Sequence, residues 1–226
     1  MAAEPVMIQV SANQRQGRIE PMLYGQFIEH LGSCINGGIF DPGSPLADES
    51  GFRRDVMAKV RELNPPMLRW PGGTFTKIYH LDQTYTWQDA LAVASWLNAM
   101  QRHSEIIGFA TWAQMVNVIA PIQADKNGSI RQTVFHPLAL FAKHSRNWNV
   151  PVRCDSPLLA DRKLPALDVV ASVADQDGSL AVFIVNRHPS QAIVRFLKLS
   201  QRPSRHASTI WLGLIHSSSS QRRSNS

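Results

Sequence analysis

The chain's 226 residues are 44% apolar and 18% charged, a balance that excludes wholesale disorder, collagen-like repeats and long coiled coils, and that fits one large domain or two small ones. The formal charge is +6, but Arg202, Arg205, Arg222 and Arg223 stand in residues 201–226 without a single acid, which leaves the first 200 residues with 19 basic and 17 acidic groups. A nearly neutral body with a basic tail does not carry the footprint of a nucleic-acid binder. Cys34 and Cys154 allow one disulfide at most and, like His103, His136 and His144, lack metal-ligand spacing. The N-terminus holds no signal-peptide run and no stretch reaches 18 uninterrupted apolar residues, so the expectation is a cytoplasmic protein without a membrane partner.

In chain order, residues 6–10 and 22–28 read as short strands, the second ending in the charged pair Glu29-His30. A Gly/Pro-rich loop with turn signals at Gly37-Gly38 and Asp41-Pro42-Gly43 follows. Phe52, Val56, Val60 and Leu63 then mark one face of a helix, preceded by Asp48, Glu49 and Ser50 and stopped by Asn64-Pro65-Pro66. Met67 to Trp70 reads as a buried strand closed by Pro71-Gly72-Gly73, and strand, helix, strand in this order makes a βαβ unit of an α/β sheet or barrel. In that buried strand Arg69 reads as a structural ion-pair partner.

The pattern changes abruptly after His80. Thr86 and Asp89 form a capping-box pattern at the head of a helix whose stripe is Ala90, Leu91, Ala94, Leu97 and Met100. Trp96 within it reads as packing, while Trp70, Trp87 and Trp112 could stack on sugars. Glu105 to Ala110 reads as a second buried strand and residues 112–120, ended by Pro121, as a short helix. Beyond a mixed stretch to Pro165 the text is all strand: Leu167 to Ala174, a turn at Asp175-Gln176-Asp177-Gly178, Ser179 to Asn186 and Ala192 to Leu199. The last 26 residues, rich in Ser, read as a disordered tail, with Ile210 to Ile215 as their one apolar run.

Four segments carry a family resemblance: Tyr24-Gly25-Gln26-Phe27-Ile28-Glu29-His30-Leu31-Gly32, the Gly37 to Pro42 run, Gly51-Phe52-Arg53-Arg54-Asp55-Val56, and Leu68-Arg69-Trp70-Pro71-Gly72-Gly73. In this order they resemble the N-terminal part of glycoside hydrolase family 51, the α-L-arabinofuranosidases. Asp89 to Arg102-His103, Ala113-Gln114 to Ile122 and Arg131-Gln132-Thr133 resemble the end of that family's catalytic barrel, and Asp168 to Arg187 its C-terminal β-sandwich. The resemblance implies an α/β plus all-β chain, an incomplete (β/α)8 barrel fragment followed by a partial C-terminal β-sandwich. Residues 1–80 would supply the N-terminal part of the barrel, 81–150 its last helix and strand, 151–200 the partial sandwich and 201–226 the tail. A complete barrel takes about 250 residues by itself, so its middle has no counterpart here and the join falls between His80 and Thr86.

The family's retaining reaction hydrolyses terminal non-reducing α-L-arabinofuranosyl residues of arabinose-containing polysaccharides, using two glutamates about 5–5.5 Å apart. One of them follows an Asn, and no Asn-Glu pair exists in this sequence, whose glutamates are Glu4, Glu20, Glu29, Glu49, Glu62 and Glu105. Glu29 at the end of one strand and Glu105 at the start of another would stand roughly 16 Å apart at about 3.3 Å per residue. No catalytic residue is therefore expected. By resemblance the substrate-binding positions are Glu29, Gln114 and Thr74, the last standing where the family has an Asn. The resemblance implies no cofactor and no metal, an arabinofuranosyl oligosaccharide or polysaccharide as partner, and a family habit of homo-oligomers. The alternative is a non-catalytic remnant, or a carbohydrate-binding or interaction protein, from an internally deleted gene.

Overall fold

The computed structural model describes residues 6–70, 84–159, 164–193, 195–199 and 207–213. Along the chain run β1 (Val6–Val10), a 3-10 turn (Pro21–Tyr24), β2 (Gly25–Phe27), α1 (Arg54–Leu63), β3 (Leu68–Arg69), α2 (Trp87–Arg102) and β4 (Thr111–Ala113). They are followed by β5 (Ile122–Ala124), β6 (Ser129–Arg131), α3 (Phe135–His144), β7 (Trp148–Val150), β8 (Val152–Cys154), β9 (Leu167–Val173), β10 (Leu180–Asn186), β11 (Arg195–Leu199) and β12 (Ala207–Gly213). The result is a sheet-rich chain with three α-helices among the described residues.

Two sheets share one apolar layer. One has the order β11-β1-β8 and the other β12-β10-β9-β7. Val6, Ile8 and Val10 alternate with exposed neighbours along β1 and pack in one cluster with Val169, Ala171 and Val173 of β9 and Leu180, Val182 and Ile184 of β10. The intervening residues Val170, Ala181, Phe183 and Val185 face the other way, into a second core with Val56, Leu91, Leu97, Leu138 and Phe141 from the helices. Both faces of the β9–β10 hairpin are thus buried, which is why its strands read as continuous apolar runs and not as alternation. Gly178 closes the hairpin at φ 64°, a left-handed conformation that costs glycine nothing.

The second unit is a parallel sheet of order β3-β2-β4. Asp48 Oδ1 accepts from the backbone N–H of Ser50 and Phe52 at 2.9 Å each, fixing the turn that leads into α1. The Thr86–Asp89 capping box opens α2, with Thr86 N–H donating to Asp89 Oδ2 at 2.7 Å. Asp168 of β9 ties α2 to the hairpin: Arg102 donates to its Oδ1 at 2.7 Å, Arg187 pairs with its Oδ2, and Asn98 Nδ2 donates to its carbonyl at 3.2 Å.

Several sequence expectations need correction. Val6–Val10 pairs with β8 and β11, so the stretch expected as barrel from residue 1 begins with a strand of the sandwich-like unit. Likewise β7 pairs with β9, which moves residues 148–150 out of the barrel segment expected to reach 150. Residues 22–28 divide into the 3-10 turn and β2, because Pro21 sets a tight first turn. Glu105 to Ala110 is not a strand: a turn follows α2 and leaves Ile106 79% and Phe109 65% exposed, while the strand starts at Thr111. Residues 112–120 are not a helix, since Asn117 and Val118 hold φ 57° and 59°. The tail expected to be disordered contains β12, whose residues Ala207 to Gly213 pair in parallel with Leu180 to Asn186.

Candidate functional site

The sheet β3-β2-β4 sets the geometry. Gly25 N–H donates to Ala110 O at 3.1 Å on one side and Gln26 N–H to Met67 O at 2.9 Å on the other, and the ladder continues with Ile28 N–H to Arg69 O and Met115 N–H to Phe27 O. A Cβ on Gly25 would lie 2.8 Å from Ala110 O, so glycine is what lets both neighbours close on β2. All three strands point the same way, and the chain leaves their carboxyl ends as Glu29-His30, Trp70 and Gln114.

Two of the residues expected at a sugar site meet there. Gln114 Nε2 donates to Glu29 Oε1 at 2.6 Å, and the two side chains come from residues 85 apart in sequence. Glu29 is 8% and Gln114 2% exposed. The donor has to be the amide nitrogen, since a carboxylate accepts only, and this orientation leaves Gln114 Oε1 buried without a hydrogen-bond partner among the described residues. Carboxylate and amide together offer acceptors and a donor to hydroxyl groups. Thr74, the third expected contact, lies outside the described residues.

The loops behind this pair are joined by Asn117. Its Nδ2 donates to Ser33 O at 2.8 Å and to Ser33 Oγ at 2.9 Å, and its Oδ1 accepts from Ala124 N–H at 2.7 Å. The segment after β4 is thereby fastened to the segment after β2, which keeps Gln114 beside Glu29. Sequence reading missed Asn117 because it placed residues 112–120 in a helix, and only an asparagine in the left-handed region could have hinted otherwise. An open cleft of about 770 Å³, lined by Ser33, Asn117, Gln123, Asp125 and Asn127, adjoins these loops. Cys34 is buried beneath them, and burial pushes its thiol pKa up.

Arg69 is not the buried ion-pair partner that the sequence suggested. It is exposed, with its guanidinium 4.5 Å from the centroid of the Phe27 ring. His30 meets Trp70 edge to face at 5.0 Å between centroids.

Among the described residues no second glutamate is hydrogen-bonded or paired with Glu29. Glu20 pairs with Arg18, Glu62 with Arg131 and Glu105 with His103 at 3.5 Å. Glu105 stands before the amino end of β4 and Glu29 beyond the carboxyl end of β2, at opposite ends of parallel neighbours. Among the described residues no cluster of three or more His, Cys, Asp or Glu could hold a metal ion, and no helix is long and apolar enough to cross a membrane.

The probable alpha-L-arabinofuranosidase C of Aspergillus fumigatus is 41% identical over 116 residues, covering 50% of this chain and 23% of that protein. The intracellular exo-alpha-(1->5)-L-arabinofuranosidase of Bifidobacterium longum is 45% identical over 73 residues, 32% of this chain and 12% of the relative. The chain thus matches less than a quarter of the length of these curated relatives. In fold it resembles AbfB, a family 51 alpha-L-arabinofuranosidase from Bifidobacterium longum, with a TM-score of 0.81 at 17% identity over 89% of both chains. The family 51 alpha-L-arabinofuranosidase from Thermotoga petrophila gives a TM-score of 0.69 at 17% identity over 86% of this chain and 88% of that one. The family model of the alpha-L-arabinofuranosidase C-terminal domain matches residues 60–210, from the end of α1 to β12, and the chain belongs to that family.

Proposed function

We propose that the chain is an arabinofuranosidase-derived protein that keeps part of the pentose-contacting surface without the groups that perform hydrolysis. The single observation that supports this reading is the buried Glu29–Gln114 hydrogen bond at the carboxyl end of the parallel sheet. The parent activity would be removal of terminal non-reducing α-L-arabinofuranosyl residues by retaining double displacement, which requires a proton donor and a nucleophile about 5–5.5 Å apart. Glu29, Gln114 and Thr74 would contact the hydroxyls of an arabinofuranosyl unit, and no residue here takes either catalytic role.

The barrel-fragment reading has its own support. In a closed eight-stranded barrel the first strand lies between the second and the last. Here β2 lies between β3, which follows it through α1, and β4, which comes later in the chain. Residues 25–70 would be the opening two strands, and residues 84–113 the last helix and strand. Ala113 and Arg69 are exposed, as expected of an inner barrel face that no further strand among the described residues roofs over. The intracellular relative in Bifidobacterium longum favours a cytoplasmic setting.

Isothermal titration of the chain with L-arabinose tests the reading. Binding is expected in the wild type, and Glu29→Gln, which replaces the carboxylate by a neutral amide with a single acceptor oxygen, should weaken it by at least about tenfold, the loss of one charge-assisted hydrogen bond. Equal affinities would refute the assignment.

A further inference from the structure

The side of α2 that meets β9 carries a buried polar row. Asn98 and Gln101 are 0% exposed and Ser104 is 7% exposed, at intervals of three along α2 and the turn that ends it. Side chains at that spacing are neighbours on one helix face, and Ser104 N–H still donates to Gln101 O at 3.3 Å, so the row is continuous. Asn98 Nδ2 fixes one end by donating to Asp168 O of β9 at 3.2 Å. The other end lies under Gly17, where a Cβ would come within 2.5 Å of Ser104 Oγ. Between these anchors Asn98 Oδ1, Gln101 Oε1, Gln101 Nε2 and Ser104 Oγ are buried without a hydrogen-bond partner among the described residues.

A buried donor or acceptor left unpaired forfeits its hydration in full, and four together would offset much of the net stability of a domain. The bland explanation is that Gln101 bonds its two neighbours directly. In the structure none of the four atoms bonds another, so the gaps between them call for a bridge. A water molecule spans up to about 5.6 Å, twice a normal hydrogen bond, which matches the roughly 5–6 Å between neighbouring positions on a helix face. The groups are neutral and include donors and acceptors, chemistry that suits water and no charged ligand. We infer that Asn98, Gln101 and Ser104 form a binding site for two ordered waters, a hydrated seam along which α2 docks on β9. Gln101 Nε2 donates to one water, which donates in turn to Asn98 Oδ1. Gln101 Oε1 accepts from the other, which also bonds Ser104 Oγ. This inference is independent of the pentose-site reading of Glu29 and Gln114.

A high-resolution crystal structure of the full chain and urea melts test it together. Two solvent peaks are expected, one within about 3.2 Å of both Asn98 Oδ1 and Gln101 Nε2, the other equally close to Gln101 Oε1 and Ser104 Oγ. Gln101→Met keeps the length of the side chain and removes both amide poles. In a hydrated seam it strands the waters and their remaining partners, and should lower the urea midpoint by about 0.5 M. In a dry seam the same change relieves two unpaired groups, and the midpoint should rise. Ser104→Ala, which removes one partner only, should lower the midpoint by about half as much, and serves if the methionine variant does not fold. A direct bond from Gln101 to Asn98 or Ser104 in place of the peaks, or a midpoint that holds or rises, overturns the inference.

Discussion

Replacing Arg53 by methionine removes the most deeply buried charge among the described residues while keeping a long unbranched side chain. Arg53 is 0% exposed, and its guanidinium donates to Asp55 Oδ1 and Oδ2 at 2.8 Å each and to Asp125 O at 2.7 Å. The variant leaves a carboxylate and a carbonyl facing an apolar chain. Breaking a buried pair from one side costs about 3–5 kcal/mol, and the lower end applies because the Asp55 side chain remains 21% exposed. With a urea slope of ~2 kcal/mol/M, a loss of about 3 kcal/mol lowers the midpoint by ~1.5 M. Asp55→Leu in the same chain should recover more than half of it, since an apolar pair of similar volume needs no partner. The pH dependence gives an independent check. Burial alone would raise the Asp55 carboxyl, but hydrogen bonds from Arg53 and Ser129 and the Arg53 charge outweigh it and hold the pKa at about 2, against 3.8 unperturbed. A depressed folded value stabilises above the unfolded one and is lost as the pH falls, so about 2 kcal/mol should disappear from the wild type between pH 4 and pH 2. The gap between wild type and Arg53→Met should narrow over that window. Urea melts at several pH values measure both effects, and a midpoint shift below about 0.3 M at pH 7, or a gap that widens in acid, would refute the reasoning.

Two further substitutions probe how the units are held. Asp168→Asn removes the charge between Arg102 and Arg187, which dock α2 on β9, and should lower Tm by roughly 5–10 °C; calorimetry showing a change under about 2 °C would count against that role. Gly25→Ala forces a Cβ to 2.8 Å from Ala110 O in the middle of the parallel sheet, and should cost about 1–3 kcal/mol in a denaturant melt, because backbone and not a flexible side chain must move.

The sequence spelled out those elements whose signals are local. The capping box of Thr86 and Asp89, the apolar face of Val56, Val60 and Leu63, and the Asp177-Gly178 turn each reappear where the chemistry of a few neighbouring residues demands them. Glu29 and Gln114 are both named as sugar contacts by resemblance alone, with Gln114 read inside a helix, and no local pattern contains their hydrogen bond. Where reading failed, tertiary context decided. Ile106, Ile107 and Phe109 have the composition of a buried strand, yet Ile106 and Phe109 are largely exposed, and the strand that pairs with β2 is the less apolar Thr111-Trp112-Ala113. Nor does any periodicity tell that β1 crosses to the sandwich-like unit, because its alternation of buried and exposed residues suits any half-buried sheet. The seven residues of β12 were hidden by the serine-rich text around them.

The central claim, a pentose-contacting surface without hydrolytic chemistry, is tested most directly by release of 4-nitrophenol from 4-nitrophenyl α-L-arabinofuranoside by the purified chain. With six glutamates, no Asn-Glu pair and, among the described residues, no second glutamate joined to Glu29, the account predicts no turnover above the rate without protein. Turnover by the wild-type chain that disappears in Glu29→Gln would contradict it.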